Sequence, residues 1–384
     1  MSAALEADEL AGREAFRASV RRFVEREISP HAAAWDEAGT FPRELYAKAA
    51  DAGLLALGHP EHLGGTPAPM AWRLIVTDEV ARAGSGGVLA SLFSHSIGLP
   101  PIVAHGSEAL QRRIVPDVLA GRKIAALAVT EPGAGSDVAR IACRGRRDGD
   151  AWVLDGEKTF ITSGMRADWL TIAVRTGGPG ASGISLLAVP GEAVGLERTP
   201  LAKMGWWCSD TARLSFSACR VATDQLIAEE NAGFRAIMAN FNGERLLMAA
   251  AACAFACVCV DEASEWARQR TTFGQRLVEH QVVRHKLVDM RMRVRAARAW
   301  LDSVVERFDA GPLDGEAVAD LCLLKNCATQ AMQFCADQAV QILGGTGYVR
   351  GTRSERIYRE VKVMMIGGGS EEIMKELAAR QLGL

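Results

Sequence analysis

Residues 127–137 read LAVTEPGAGSD. An apolar run from Ile124 to Val129 has strand character and stops at Thr130. There Pro132, Gly133 and Gly135 turn the chain, and Ser136 and Asp137 follow. Glycines at such a turn let backbone N–H groups approach a phosphate or a flat ring, and exposed hydroxyls add donors and acceptors. Most Gly-rich turns after a strand are plain connections, so this stretch needs company before it signifies chemistry. It also divides the chain, because helical spacing precedes it and short strands follow it.

Upstream, residues 5–28 place Leu10, Phe16, Val20, Phe23 and Val24 at helical spacing with charges between them, and Pro30 stops the helix. Further helical patterns cover about 43–52, 68–84, 88–105 and 107–120, separated by Gly- and Pro-containing turns. From 122 to about 228 the chain shows short runs bounded by Gly, Asp and Pro. Ala151–Asp155, Trp169–Arg175, Ile184–Val189 and Ala212–Phe216 read as strands, and DGDAWVLDGEK (148–158) as a hairpin turning at Asp148-Gly149. Helical spacing returns over 234–268, 276–308, 316–343 and 370–381, with breaks at Gly311-Pro312 and Gly344-Gly345. Leu287, Val294, Leu301, Val304 and Phe308 mark one stripe. The fold class expected is α+β: an N-terminal all-α domain (1–121), a middle β domain (122–230) and a C-terminal α-helical domain (231–384).

Forty-four basic and 46 acidic residues nearly cancel, so no broad field favours nucleic acid or a membrane surface. The longest uninterrupted apolar run, Leu246 to Val260, is 15 residues long between Arg245 and Asp261, which suits a buried helix rather than a membrane span. The stretch MSAALEADELAG at the N-terminus lacks the basic-then-apolar layout of a secretion signal, and a cytoplasmic location is expected. Nine cysteines, mostly inside apolar patterns, read as small hydrophobes without disulfides. No His or acidic residue interleaves with Cys253, Cys257 and Cys259, so no metal site is expected. His59 and His62, in HPEHLGG, mimic a ligand pair but read as a surface turn; His95 reads as a satisfied core histidine, with pocket lining as the alternative.

The company for LAVTEPGAGSD lies downstream. KTFIT (158–162), RTTFG (270–274), QILGGTG (341–347) and YREVKVMMIGGGSEEI (358–373) follow in order. Together with TEPGAGSD they resemble the flavin-dependent acyl-CoA dehydrogenase family, from about residue 5 to the C-terminus. The resemblance implies a C-terminal four-helix bundle and a homotetramer with FAD between subunits. It implies oxidation of an acyl-CoA thioester to the trans-2-enoyl-CoA, with electron-transferring flavoprotein as acceptor.

The resemblance also implies roles. Leu127, Val129, Thr130, Gly135 and Ser136 would meet the isoalloxazine and pyrophosphate, Ser136 also facing the substrate. Phe160, Ile161 and Thr162 match a Trp-Ile-Thr motif beside the ring, where Phe keeps an aromatic face and loses the indole donor. From a neighbouring subunit, Arg270, Phe273, His280, Gln281, Gln341, Gly344 and Gly345 would complete the FAD site. Arg suits a pyrophosphate because its planar fork binds oxygens in pairs. Ser370 and Glu372 match cofactor contacts, although Ser370 is equally a good helix N-cap. Asn242 and Arg245 match CoA contacts, the Arg serving a phosphate. Trp206 and Trp207, in KMGWWCSDT (203–211), read as structural, with flavin shielding or partner docking as alternatives.

One departure is informative. The family's last motif reads Tyr-Glu-Gly-Thr, and its Glu is the base that takes the α-proton; this chain has Gly367, Gly368, Gly369 and Ser370 there. Glycine cannot abstract a proton. In isovaleryl-CoA dehydrogenase the base sits on another helix within a Glu-Arg-Leu string, and FNGERLLMAA (241–250) places Glu244 at that point, heading the apolar run. Desolvation there would raise its pKa toward neutrality, as a base requires. The plainer reading is a surface Glu paired with Arg245. Gly368 retains the backbone N–H that would hold the thioester oxygen. Gly367 and Gly369 would border the substrate, with room for a branched or bulky acyl group. Alternatives are a dehydrogenase of carrier-protein-bound thioesters, a flavin monooxygenase on the same fold, or a non-catalytic relative.

Overall fold

The apolar run without a polar face becomes the axis of the molecule. A computed structural model describes residues 3–384, with side-chain surroundings from residue 9 onward. In it, helix Gly233–Gln269 carries Leu246, Ala249 to Ala256 and Val258 to Val260 buried on every side. The helix is long and apolar enough to cross a membrane, but most of its apolar stretch lies inside the protein. Around it pack Gln281–Ala310, Gly315–Leu343 and Arg353–Ile366, with Met70–Ala81 from the N-terminal helices. Glu371–Gln381 packs on the outer side of Gly315–Leu343.

The C-terminal helices depart from expectation at two places. The second begins at Gln281, because 271–276 form a small hairpin, and Arg353–Ile366 is an additional helix. Its inward face includes Ser354, Glu355, Arg356 and Glu360, all buried, so its apolar stripe is faint in the sequence. Leu287, Val294, Leu301 and Val304 are buried as the periodicity predicts.

In the N-terminal domain Ala3–Glu27, Glu44–Asp51, Met70–Ala81 and Glu108–Leu119 occupy predicted stretches, while Leu10 is exposed. Ala32–Ala38 was not anticipated; it stops at Gly39, whose φ of 71° is left-handed. The expected helix over 88–105 is three short ones, Gly86–Leu92, His95–Gly98 and Pro100–His105. Pro100 and Pro101 lack the N–H that would continue a helix, and the Ser94 hydroxyl donates instead to the Ala125 carbonyl (2.9 Å).

The middle domain is a sheet of β1 (Ala125–Ala128), β2 (Arg144–Asp148), β3 (Ala151–Ile161), β4 (Trp169–Arg175), β5 (Ile184–Pro190), β6 (Leu196–Pro200), β7 (Ala212–Ala222) and β8 (Leu226–Ile227). Its order is β6-β7-β3-β2-β4-β5-β8, with β1 parallel to β4. RGRRD of β2 has no apolar residue, and β6 is at most half-buried, which is why both escape a pattern search. Asp148 pairs with Ala151, so the hairpin loop is Gly149-Asp150, one residue later than expected, with Gly149 at φ 63°.

A buried ion pair fixes the β1 loop to β3. Lys158 is fully buried, and its Nζ donates to Glu131 Oε1 (2.7 Å) and to the Val129 carbonyl (2.9 Å). Glu131 also accepts from the backbone N–H groups of Ala142 (2.6 Å) and Cys143 (3.0 Å). Thr159 N–H donates to the Thr130 carbonyl (2.9 Å), which closes the seam. Burial pushes the Lys158 pKa down, against the pull of Cys143 and Glu131. A charge this dry tolerates no loss of its partner. Lys158→Met is therefore expected to destabilise the protein by about 3–5 kcal/mol, since it strands the Glu131 carboxylate. Urea unfolding followed by tryptophan fluorescence measures this, and a loss below about 1 kcal/mol would show that the pair is not what holds the seam.

Candidate functional site

The sequence-predicted residues gather into three groups. The first lies where β1 and β3 run out together. Val129 is buried, Leu127, Thr130 and Thr162 are half-buried, and Gly135 and Ser136 are exposed. A register irregularity between Lys158 and Ile161 turns Phe160 outward, where it is 69% exposed at φ 60°. Left-handed backbone at a bulky residue is strained by about 1–3 kcal/mol, and an exposed ring returns nothing to the fold. A flat ligand laid against it would bury that face. Gly133 and Gly135 have open space where a Cβ would stand, so the loop backbone is approachable. These residues fit a cofactor with an aromatic ring and phosphates. Ile161, expected to touch it, is buried in the sheet core and can offer only its backbone.

The second group sits at one end of the C-terminal helices. Thr271–Thr272 and Gln275–Arg276 pair as a hairpin whose loop is Phe273-Gly274, both left-handed (φ 51° and 83°). This turn type suits the twist of a two-residue hairpin, and it holds the Phe273 ring out at 98% exposure. His280 meets Gln275 Nε2 at 3.0 Å, and Arg270 and Gln281 are exposed. Lys286 donates to Gln338 (2.6 Å), drawing the start of one helix to the end of the next, where Gln341, Gly344 and Gly345 are exposed. The hairpin packs on the C-terminal helices, not beside Phe160.

The third group surrounds the glycine turn after Arg353–Ile366. Gly368 and Gly369 are left-handed (φ 66° and 115°). Arg245 Nε donates to the Gly368 carbonyl (3.1 Å), and Lys325 Nζ to the Gly369 (2.6 Å) and Met365 (3.2 Å) carbonyls. A Cβ at Gly368 would stand 2.7 Å from Met248 Sδ, and one at Gly367 would stand 3.4 Å from Met248 Cε. Met248 thus fills the space that a side chain at Gly368 would need and only touches the space beside Gly367, where the Val363 carbonyl stands closer at 3.1 Å.

Glu244 lies one helical turn before Met248. The residue as a whole is half-buried, but Oε2 is sealed from water and accepts no hydrogen bond. Desolvation pushes its carboxyl up to about 7, against the opposing pull of Arg245 and Lys325. That geometry does not match a surface carboxylate paired with a neighbour. Phe241, one turn earlier, packs in one apolar cluster with Leu127 and Val129, which links this group to the first.

Other residues fall out differently. Arg245, expected at a CoA phosphate, is 6% exposed, and its guanidinium is engaged by Gly368 and by Asn242 Oδ1 (3.2 Å). It serves the turn. Ser370 caps Glu371–Gln381 through Ile373 N–H (3.4 Å). The Glu372 carboxyl is held below its usual range by its own backbone N–H at that helix start and by Ser370. Trp207 lies under Arg359 (3.8 Å to the ring centroid) and donates to the Lys203 carbonyl (3.0 Å), while Trp206 packs on the helical core; both are structural. His95 is buried with Nε2 3.0 Å from the Leu55 carbonyl. His59, expected in a surface turn, is instead buried beside His95, and desolvation pushes its pKa down to about 4; His62 is exposed. All nine cysteines are free thiols, and Cys253 and Cys259 are wholly buried in the helical core.

Sequence reasoning missed Lys325. A signal existed: in LCLLKNCA (321–328) the lysine sits among Leu321, Cys322, Leu324 and Ala328, all fully buried. Lysine in such a place is paired or functional.

Models of the acyl-CoA dehydrogenase N-terminal, middle and C-terminal domains match residues 11–122, 126–219 and 231–383. Mitochondrial long-chain specific acyl-CoA dehydrogenase of Sus scrofa is 36% identical, over 96% of this chain and 85% of its own length. Mitochondrial isovaleryl-CoA dehydrogenase of Oryza sativa subsp. japonica is 33% identical, over 96% and 90%. The crystal structure of acyl-CoA dehydrogenase from Geobacillus kaustophilus superimposes with a TM-score of 0.93 at 35% identity, covering 97% of this chain and 98% of that one. The three-part architecture, the ordered motifs and these likenesses agree: the chain belongs to the acyl-CoA dehydrogenase family of flavoprotein oxidoreductases acting on CH–CH groups.

Proposed function

We propose that this protein is an FAD-dependent acyl-CoA dehydrogenase in which Glu244, rather than a residue of the C-terminal motif, removes the α-proton. The carrying observation is Glu244 Oε2, sealed from water and unpartnered, on the helix whose Arg245 and Met248 meet a glycine turn that offers no carboxylate of its own. A base is most effective when its pKa lies near the working pH, and burial brings Glu244 to about 7. FAD, when bound, would supply the hydride acceptor for the β-hydrogen. Glu244 takes the α-proton onto its carboxylate, so the C–H electron pair becomes the new double bond. Gly368 keeps the N–H that would donate a hydrogen bond to the thioester oxygen, and Arg245 holds that turn in place. Phe160, Gly135 and Ser136 would bear on the cofactor from this chain. Within one chain the Phe273 hairpin and Gln341–Gly345 stand apart from Phe160, which supports their serving the cofactor of another copy in a homotetramer. Electron-transferring flavoprotein is the proposed acceptor.

The proposed substrate is a branched or bulky acyl-CoA. Gly367 presents no side chain, and its neighbour Met248 is a flexible residue that can yield to an irregular acyl group. One relative is named for isovaleryl-CoA and another for long-chain substrates.

Glu244→Gln is expected to retain FAD and lose about 10²–10⁴-fold in kcat. Turnover within a few-fold of wild type would refute the assignment. The base must be ionised to act, so wild-type kcat/KM should fall as pH drops below about 7, with no such limb where Glu244 is the source and has been replaced. A panel of straight, methyl-branched and aromatic acyl-CoAs, scored by anaerobic bleaching of the flavin, tests the substrate class. Bleaching by short straight chains alone contradicts a bulky substrate. Bleaching only by carrier-bound thioesters points to a biosynthetic dehydrogenase.

A further inference from the structure

Lys325 is the one buried cation at this site that the reading above leaves without a duty. It is fully buried on Gly315–Leu343, yet its ammonium reaches across to the Met365 and Gly369 carbonyls. Arg245 grips the preceding carbonyl, that of Gly368. Two cations from two different helices therefore hold consecutive carbonyls of a turn whose glycines have no side chains to anchor it. Satisfying carbonyls alone does not call for a buried charge, since a neutral donor or a water would serve without the desolvation cost. The charge needs a further reason. Two carboxylates lie within its electrostatic reach; Glu371 is already paired with Lys375, and Glu244, whose Oε2 is sealed and unpartnered, is not.

We propose that Lys325 is a positioning residue of the proton-abstracting site: it anchors the Gly367–Gly369 turn and holds the Glu244 carboxylate in its charged, proton-accepting form. This rests on Glu244 being the base. The groups that face Glu244 are Arg245 from its own helix and Lys325 from Gly315–Leu343. Lys325 is faced in turn by Arg245, Glu244, Cys322 and Glu371. Lys325 and Arg245 both favour the ionised carboxylate, while the dry surroundings oppose it. As the proton moves, negative charge leaves the carboxylate for the substrate at the glycine turn, and Lys325, bonded to that turn, stays beside both ends of the transfer.

The test is the titration of Glu244 in the FAD-loaded protein, read by infrared difference spectroscopy as the carboxyl band that Glu244→Gln abolishes. It is read in parallel with the pH profile of kcat/KM. In Lys325→Met the band and the acid limb should both move up by about one pH unit, with kcat falling more than KM rises. Lys325→Arg, which keeps the charge, should return both toward wild type. An unmoved band in Lys325→Met, or an equal shift in Lys325→Arg, overturns the proposal. If Lys325→Met does not fold, Lys325→Gln against Lys325→Arg makes the same comparison of charge absent and charge kept. A band and limb that survive in Glu244→Gln would instead remove Glu244 as the base, and the Lys325 proposal with it.

Discussion

Water must be kept from every side of the run between Leu246 and Val260, and the rest of the molecule is arranged around that constraint. Four helices enclose it, one of them from the N-terminal domain. Fifteen apolar residues in succession leave no face for solvent, so the charged pair at the head of the run, Glu244 and Arg245, is drawn toward the interior with it. A carboxylate placed there is costly to ionise, which is the property a base of α-protons needs. The raised pKa of Glu244 is thus a by-product of packing a helix that has no polar side.

That placement would be ruinous without compensation. Arg245 answers it from the same helix and Lys325 from another, and both also bond the backbone of the glycine turn. The site holds two cations against one carboxylate, each lowered or raised in pKa by the same dry surroundings. The turn and Glu244 are consequently one electrostatic unit. Gly368 and Gly369 supply left-handed backbone that a side-chain-bearing residue would adopt only with strain, and Met248 and Met374 respectively occupy the volume that a side chain at each would require.

A parallel logic governs the edge where β1 and β3 run out. The seam made by Lys158 and Glu131 is fully internal, and it lets the residues just beyond it, Gly133, Gly135 and Phe160, be strained or exposed. Rigid interior supports and unsatisfied exteriors recur at Phe273, held out by a hairpin turn. Residues of this kind contribute little to the fold and make sense against a ligand or another copy of the chain.

Much of this was legible in the residue order. Helical and strand periodicities give the three-part architecture, because amphipathic repeats survive in any context, and the glycines at 367–369 announce a missing carboxylate. The polar inner face of Arg353–Ile366 and the charged strand Arg144–Asp148 were not legible, since their burial depends on partners distant in sequence. The same holds for the interior position of His59 and for Arg245 turning inward to Gly368 rather than outward to a phosphate. Lys325 is the clearest case: its position in an apolar helix marks it as buried, but only the folding of three helices onto one another shows that it meets Gly369 and lies near Glu244. Sequence fixes which groups are available and which faces must be dry. Tertiary packing decides which charges those dry faces enclose together, because electrostatic coupling depends on distance and local dielectric, and neither is written along the chain.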